Sequence, residues 1–587
     1  MEQARLMVER GVLEQYHKLP KDVCKRISGF IADFERDPQD PRLYIHKLDA
    51  EMADPKVRGA KLPGGYRAIL IKPEKGNTWL LVHVAPHDKA YAWAKDKRFE
   101  VHGKTGIFQI FSAEQAQRAA DEVAEAFVQE PEYPLSKLSD EELFQAGVPS
   151  ALIPSVRAIR SDEYLDALSE YLPLDCREVL TGIAAGMSLD EALESVLGQD
   201  SPADALPSGT GDFSALDKSP SFNLVLLDSD ELLREALERP LEAWRVFLHP
   251  QQKRIVEKDV RGPMKITGAA GTGKTVALLH RAAHLAKIPS GDGKRVLVLT
   301  FTVNLAANIK KLLQDLDADA AERIDVANLS SFARTVCRDK GWTGAIKHPS
   351  ELDDIWQEVF ATSGLPELPL ATNEELRKEF ELVIDPAGID DEESYLTLRR
   401  RGRDRLGRKQ RRAVWEYVVA LRKHLKKRDI LTPNAAIKQA RLAMESEPSR
   451  EWAHVLVDEA QDFGLEALRL VRAVSPDSEE SRNPLTLAGD GHQRVYGVQV
   501  PFSRAGINVV GRSYRLRVNY RTSQQIRRWA QAILEGQEID DLDEATTSVK
   551  GDLSAFSGPD PEIVECANTR QEAQAVVDWV QSLLEQG

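Results

Sequence analysis

Apolar positions along this chain recur in changing rhythms, and each change of rhythm marks a domain. Helical periodicity over about Leu6–Asp37 predicts a helix, and apolar runs at Leu43–Leu48, Tyr66–Lys72 and Thr78–Val84 predict strands. A short helix is predicted from His87 (HDKAYAWAKDKRF), so residues 1–104 read as a small α+β domain. Residues 105–197 follow a helical period with acidic faces, as in AEQAQRAADEVAEAFVQE and LSDEELFQAGV. Gly, Ser, Pro and Asp crowd 198–222, which predicts a linker, and 223–246 reads as a helical lead-in. From 247 onward, strand-like runs at Met264–Thr267, Arg295–Thr300, His454–Val457 and Leu485–Ala488 alternate with helical stretches. That alternation predicts an α/β domain over 247–339 and 446–515: a mostly parallel sheet with its ligand site at the strand C-termini. Residues 340–445 are long, helical and basic, a predicted helical insertion. Residues 516–587 read as a helix (QQIRRWAQAILEG), an acidic loop, a strand (PEIVECA) and a helix (QEAQAVVDWVQSLLEQG).

Charge sharpens this division. The 587 residues carry a net charge of −15, which argues against a nucleic-acid partner until it is partitioned. Residues 1–104 hold 20 Lys/Arg against 15 Asp/Glu, and residues 105–245 hold 9 against 28. The acidity is therefore concentrated in the helical segment, and the remainder is near neutral. Inside that remainder, Arg399–Arg428 packs 14 Lys/Arg against Asp404 and Glu416, with Trp415 and Tyr417 between them. Such density predicts contact with a phosphate backbone, with Arg399, Arg400 and Arg401 as candidates. The acidic helices could occupy that basic run when nucleic acid is absent. Cys24, Cys176, Cys337 and Cys566 stand apart from one another, which fits a reducing cytoplasm. No apolar run approaches the roughly 18 residues of a membrane span, and MEQARLMVERGVLEQYHKLP lacks the apolar core of a signal peptide.

The chemistry lies in two motifs. GAAGTGKT at Gly268–Thr275 follows a predicted strand, MKITG, and opens a predicted helix, VALLHRAAHLA. A glycine-rich turn there lets backbone N–H groups of Gly268, Ala269, Ala270, Gly271, Thr272 and Gly273 wrap phosphates. Lys274 reaches the β- and γ-phosphates, and the Thr275 hydroxyl holds Mg²⁺. LVDEAQD at Leu456–Asp462 puts Asp458 and Glu459 at the end of an apolar strand. Such a pair supplies one carboxylate for the metal and one to orient or deprotonate an attacking water. ATP and Mg²⁺ are the predicted cofactors.

With these and four further motifs, the chain resembles superfamily 1 DNA helicases of the UvrD/Rep type. LHPQQ resembles the family's glutamine motif, VLVLTFTVNLAANI its single-strand-binding motif, LAGDGHQRVYG the motif after the acidic one, and VNYRTS the start of the second motor domain. The resemblance implies a RecA-like domain with a helical insertion, followed in 516–587 by the first part of a second RecA-like domain. It implies 3′-to-5′ movement on single-stranded DNA or a tailed duplex. Gln252 would read the adenine edge, and Tyr520 would stack on the base. Gln493 and Arg521 would touch the γ-phosphate, and Phe301 would stack on a DNA base. Asn304 and Tyr496 lie in the DNA-contacting motifs. Asn304 stands where the family has a basic residue, Ser330 or Ser331 where it has His, and Val498 and Gln499 where it has an aromatic and Arg. Each change removes a charge or a stacking platform worth about 1–3 kcal/mol per base. The family's later motifs are not found after Arg521. Slow hydrolysis and no unwinding by this chain alone are therefore expected, the remainder coming from a missing C-terminal half or a partner chain.

Residues 18–98 resemble the RelE/ParE toxin fold through DPRLYIHKLDAE, GYRAILIK and WLLVHVAPHDKAYAWA. That resemblance implies RNA or ribosome contact by Lys61, Arg67, His87 and Tyr91, with Asp88 where such toxins often carry Arg. A bound packing or recruitment role is the simpler reading of the same residues. Three functions thus compete: an ATP-dependent helicase/translocase serving repair or defence against phage, an ATP-gated nucleic-acid-binding switch, and a ribonuclease with a regulatory ATPase.

Overall fold

The computed structural model describes residues 4–586 apart from most of 10–20, 198–223 and 535–551, and from 49–51, 125–132, 227–247, 289–292, 363–372, 399–405, 448–450, 476–480, 494–499 and 556. The first unit contains β1 (Arg5–Glu9), α1 (Lys21–Arg36), β2 (His46–Lys47), β3 (Val57–Lys61), β4 (Tyr66–Ile71), β5 (Thr78–Pro86), α2 (His87–Ala94), β6 (Arg98–Val101) and β7 (Phe108–Phe111). Strands β2 to β5 pair antiparallel in sequence, and β1 lies parallel to β5. Helix α1 buries Val23, Ile27, Phe30 and Phe34 against Leu6, Val8, Leu70 and Leu81 on one face. On the other, Met7, Ile69, Leu80 and Val82 lie under Ala90, Ala94, Phe99 and Phe108. This corrects the helix predicted from Leu6. Leu6, Met7 and Val8 are buried on alternating faces of a sheet covered on both sides, a pattern that suits a central strand.

The hairpin β6–β7 crosses the predicted boundary at 104. Beyond it lie α3 (Ala113–Ala124), α4 (Asp140–Gln145), α5 (Ile153–Arg157), α6 (Asp162–Leu168), α7 (Leu174–Ala184) and α8 (Leu189–Leu197). They enclose their own core, with Leu143, Leu152, Val156, Leu168, Val179 and Leu180 at its centre. The acidic segment is thus a packed helical module. After it, Phe213 packs edge-on against Phe108, and β8 (Leu224–Leu226) pairs antiparallel with β1. The first sheet therefore runs β2-β3-β4-β5-β1-β8. The predicted linker and helical lead-in are corrected at these points: an apolar triplet, Leu-Val-Leu, completes the first sheet. The rest of the lead-in, 227–247, lies outside the described residues.

The third unit contains α9 (Pro250–Glu257), β9 (Met264–Gly268), α10 (Lys274–Lys287), β10 (Arg295–Thr300), α11 (Val303–Leu316), β11 (Ile324–Asn328) and α12 (Leu329–Asp339). It continues through β12 (Ala345–Ile346), α13 (Asp353–Thr362), α14 (Arg408–Lys427), β13 (Ile430–Leu431), α15 (Pro433–Ser446), β14 (Trp452–Val457), α16 (Leu465–Val474), β15 (Leu485–Gly489) and β16 (Ser513–Leu516). Its sheet, β11-β10-β14-β15-β9-β16, is parallel at every pairing and carries an apolar layer on each face. The α/β class and the four predicted strands hold, and edge strands β11 and β16 are added. The helical insertion has a separate core around Trp356, Tyr395, Val418 and Leu421, and leaves the domain through the two-residue pair β12–β13. It ends earlier than the predicted 445. Helix α15 buries Ala436, Ile437, Ala440 and Met444 in the core of the α/β domain.

Past β16 come β17 (Val518–Asn519), α17 (Gln524–Gln531), β18 (Ile539–Asp540), β19 (Thr546–Thr547), β20 (Leu553–Ser554) and α18 (Thr569–Gln586). β17 and β20 pair parallel. The predicted strand PEIVECA pairs with no strand among the described residues, and Ile563 and Val564 are exposed there. Among the described residues no helix is long and apolar enough to cross a membrane.

Candidate nucleotide-binding site

The glycine-rich turn sits between β9 and α10, at the C-terminal edge of the parallel sheet. Gly271 and Gly273 have φ of 81° and 79°, a left-handed backbone that favours glycine. A Cβ on Gly271 would collide with the Asn519 side chain, and one on Gly273 with the amide of Gln252. The loop is therefore a cradle that larger residues would fill. It opens onto the N-terminus of the 14-residue helix α10, where unpaired N–H groups and the helix dipole favour an anion. Lys274 Nζ donates to the carbonyls of Gly268 (2.8 Å) and Ala269 (3.1 Å), and stands 3.6 Å from the buried Asp490 carboxylate. Its charge is held at the mouth of the cradle.

Strand β14 delivers the acidic pair. Thr275 Oγ1 donates to Asp458 Oδ2 at 2.9 Å, joining the two motifs across 183 residues of sequence. Burial and the neighbouring Glu459 charge push the Asp458 carboxyl up to about 6, against the hydrogen bond from Thr275 and the nearby Lys274. Glu459 occupies the left-handed region, φ 53° and ψ 42°, uncommon outside glycine and often found at functional sites. Gln461 Nε2 donates to Glu459 at 2.6 Å, while Gln461 Oε1 accepts the backbone N–H of Asp490 at 3.0 Å. Asp490 in turn accepts from Gln493 Nε2 at 2.7 Å and from the backbone N–H of His492 at 2.9 Å. Burial would raise the Asp490 carboxyl, but His492 and Lys274 hold it below its ordinary value.

A hydroxyl and a carboxylate beside a phosphate cradle fit Mg²⁺, a hard cation that takes few protein oxygens and completes its shell with phosphates and water. Among the described residues no cluster of three His, Cys, Asp or Glu offers a different kind of metal site.

The cradle is closed on its other sides by α9 and the segment after β16. Gln252 Nε2 donates to the Thr272 carbonyl at 3.0 Å, and Tyr520 N–H donates to the Gly271 carbonyl at 2.9 Å. Asn519 Oδ1 accepts the N–H groups of Arg521 and Thr522, turning the chain so that Arg521 is exposed beside the cradle. The structure thus gathers Gln252, the Gly268–Thr275 loop, Asp458, Glu459, Gln493, Tyr520 and Arg521 around one cleft. It adds Gln461, Asp490 and Asn519, which sequence reasoning passed over. Asp490 ends an apolar strand as Asp458 does, and that was its available signal.

The nucleic-acid candidates divide differently. Phe301 follows β10 at 40% exposure, with Asn304 exposed on the first turn of α11. Arg399, Arg400, Arg401 and Tyr496 lie outside the described residues. Trp415 and Tyr417 require correction, because both are buried in the insertion core. Several cations of the basic run are also engaged internally. Arg411 binds the carbonyls of Tyr395, Leu396 and Leu398, and Arg428 pairs with Glu358. Arg408, Lys409, Lys423, Lys426 and Lys427 of the run are exposed.

In the first unit, Lys61 and Arg67 are register partners across β3–β4. The Tyr91 hydroxyl lies 3.0 Å from His46 Nε2, and the His87 ring is 4.4 Å from Tyr91. His46 was not anticipated, since only pairing of distant strands brings it to Tyr91. Asp88 takes the His87 Nδ1 at 2.8 Å. His83 stacks on Trp93 at 4.2 Å, and burial pushes it down to about 4, as befits a packed ring.

The parallel sheet and its cleft define an α/β nucleotide-binding domain of the P-loop kind. Residues 248–501 match the family described as UvrD/REP helicase N-terminal domain. The chain is similar to the ATP-dependent DNA helicase UvrD1 of Mycobacterium tuberculosis, 27% identical over 315 residues, covering 49% of this chain and 39% of that protein. It is similar to UvrD2 of the same organism, 27% identical over 257 residues, covering 40% and 35%. A probable DNA helicase II homolog of Mycoplasma capricolum is 23% identical over 361 residues, covering 58% and 47%. The chain spans less than half the length of these relatives. Together the matches relate residues 248–501 to UvrD/Rep-type helicases.

Proposed function

We propose that residues 248–521 form the nucleotide-binding half of an ATP-dependent DNA motor that grips single-stranded DNA and moves 3′ to 5′. The observation that supports this best is the joining of Lys274, Thr275, Asp458 and Asp490 at one strand edge, with Tyr520 and Arg521 against the same loop. Lys274 binds the β- and γ-phosphates. Thr275 and Asp458 hold Mg²⁺, which when bound neutralises charge on the phosphate oxygens. Glu459, fixed by Gln461, orients a water toward the γ-phosphorus and takes its proton as the bond to ADP breaks. Gln252 and Tyr520 hold adenine, while Gln493 and Arg521 sense the γ-phosphate. Phe301 and Asn304 face DNA near the end of β10, and the exposed lysines of α14 add backbone contacts.

The test is ATP turnover on oligonucleotides, together with displacement of streptavidin from either end. Slow, DNA-stimulated turnover is expected, with any displacement coming from the 5′ end. ATP-dependent DNA affinity without displacement would favour the nucleotide-gated switch, and indifference to both ligands would overturn the reading. A second reading rests on the His46–Tyr91–His87 cluster: RNA contact or cleavage by the first unit. RNA cleavage lost in Arg67→Ala and Tyr91→Phe would support it, and uncut RNA would leave that unit a packing or recruitment domain.

A further inference from the structure

Helix α7 of the acidic module points three nearby side chains at three different parts of the molecule. Asp175 accepts a 2.6 Å hydrogen bond from Gln109 of β7. Arg177 donates to the carbonyl of Ser554 on β20 at 2.5 Å. Glu178 Oε1 lies 3.3 Å from Nε2 of His249, and both side chains are almost fully buried. Around them, Asp166 of α6 binds Gln524 and Arg528 of α17, and Arg254 of α9 donates to the carbonyls of Glu194 and Val196. Among the described residues, these acidic helices contact β7, α9 and the segment after β16 and not the basic run, against the expectation that they sit on the insertion.

The contact with His249 leads into the nucleotide cleft. His249 is the N-cap of α9, and its Nδ1 accepts the backbone N–H of Gln251 at 3.4 Å. With Nδ1 accepting, Nε2 is left as the ring nitrogen 3.3 Å from Glu178 Oε1, an ion-pair contact inside the protein. The His249 backbone N–H donates to Gln252 Oε1 at 3.0 Å, completing the capping box, and Gln252 Nε2 donates to the Thr272 carbonyl of the phosphate loop. Glu178, His249, Gln252 and Thr272 thus form one line from the helical module to the cradle. The His249 ring also lies 5.8 Å from that of Tyr520.

We propose that Glu178 is a positioning residue for nucleobase recognition: through His249 it fixes Gln252, so the motor's preference for adenine depends on docking of the helical module. This rests on Gln252 reading the adenine edge. A buried carboxylate 3.3 Å from Nε2 favours one orientation of the imidazole. That orientation sets the first turn of α9, on which the Gln252 amide is carried. Without it, Gln252 has a second rotamer available and the amide no longer meets one base edge in one geometry. Contacts to the triphosphate, made by the loop and Lys274, are unaffected.

The experiment measures equilibrium binding of fluorescent ATP and GTP to the full chain. The variants are Glu178→Ala, Glu178→Gln, His249→Asn and Gln252→Ala, with the Glu178→Ala/His249→Asn double variant, each checked by circular dichroism. His249→Asn keeps an N-cap acceptor but cannot reach Glu178. Glu178→Ala and His249→Asn are each expected to narrow the ATP-over-GTP preference about tenfold, the loss of one buried polar contact, with GTP affinity unchanged. Glu178→Gln should keep most of the preference, because its amide oxygen still faces Nε2 of the ring. The double variant should be no worse than either single one. If Gln252→Ala narrows the preference while Glu178→Ala and His249→Asn leave it intact, or weaken both nucleotides equally, the inference is overturned and the adenine reading stands. If Gln252→Ala leaves the preference intact, the adenine reading fails and this inference with it.

Discussion

Lys274 and Asp458 owe their chemistry to placement. The lysine is wrapped by loop carbonyls and faced by Asp490, and the aspartate is buried beneath the Thr275 hydroxyl. Both were legible in the sequence, because a phosphate loop and an acidic strand end need residues adjacent in the chain. Gln461 and His46 were not, because their partners arrive through the sheet. Asp175 was equally silent: nothing in LPLDCREVL distinguishes one buried carboxyl from the solvated acids of neighbouring helices. Burial pushes Asp175 up to about 7, against the hydrogen bond from Gln109. Its proton is held more tightly in the folded than in the unfolded chain. Stability should therefore be greatest below the ordinary aspartate range and fall as pH rises toward about 7. Asp175→Asn keeps an acceptor for Gln109 and removes the titration. Thermal melts of this variant should lack that decline, and an unchanged pH profile would show that Asp175 does not carry it.

Among the elements, α9, α10 and β15 are tied by one side chain. Arg281, fully buried, donates to the carbonyls of Ile255, Val256 and Lys258, to Thr486 Oγ1 and to Asn483 Oδ1. Burial pulls it down to about 10, but its hydrogen-bond donors have acceptors around them. Arg281→Ala leaves those acceptors unpaired in the interior and should cost about 3 kcal/mol or more of motor stability, read as an earlier unfolding transition in urea. Helix α14 divides its cations between the insertion core and solvent. Replacing exposed Lys423, Lys426 and Lys427 by Ala should flatten the salt dependence of DNA binding, by about 0.7 in log–log slope for each phosphate no longer neutralised. An unchanged slope would remove α14 from the DNA interface. The interior strands of the motor were legible because strands buried on both faces read as continuous apolar runs. The strand at Leu6 read as a helix because three apolar residues suit either period. Edge strands β11 and β16 were missed because IDVAN and SYRL carry too few apolar residues to stand out.

Across the whole molecule, the division of charge was legible but its use was not. The acidic residues suggested a plug for the basic run. Instead the helices pack around a core and grip α9, α17 and β20 through Glu178, Asp166 and Arg177. The first unit closes on itself through β8, which no local pattern announced because its partner β1 lies more than two hundred residues away. The nucleotide cleft is assembled from the motor sheet, the segment after it and, one residue removed, the helical module. Everything proposed for the motor rests on occupation of that cleft by Mg·ATP. ATP binding by the full chain, with and without Mg²⁺ and single-stranded DNA and beside Lys274→Ala, decides it. Binding should depend on Mg²⁺, shift when DNA is added and disappear in Lys274→Ala. Nucleotide binding that survives Lys274→Ala and ignores both Mg²⁺ and DNA would refute the motor assignment.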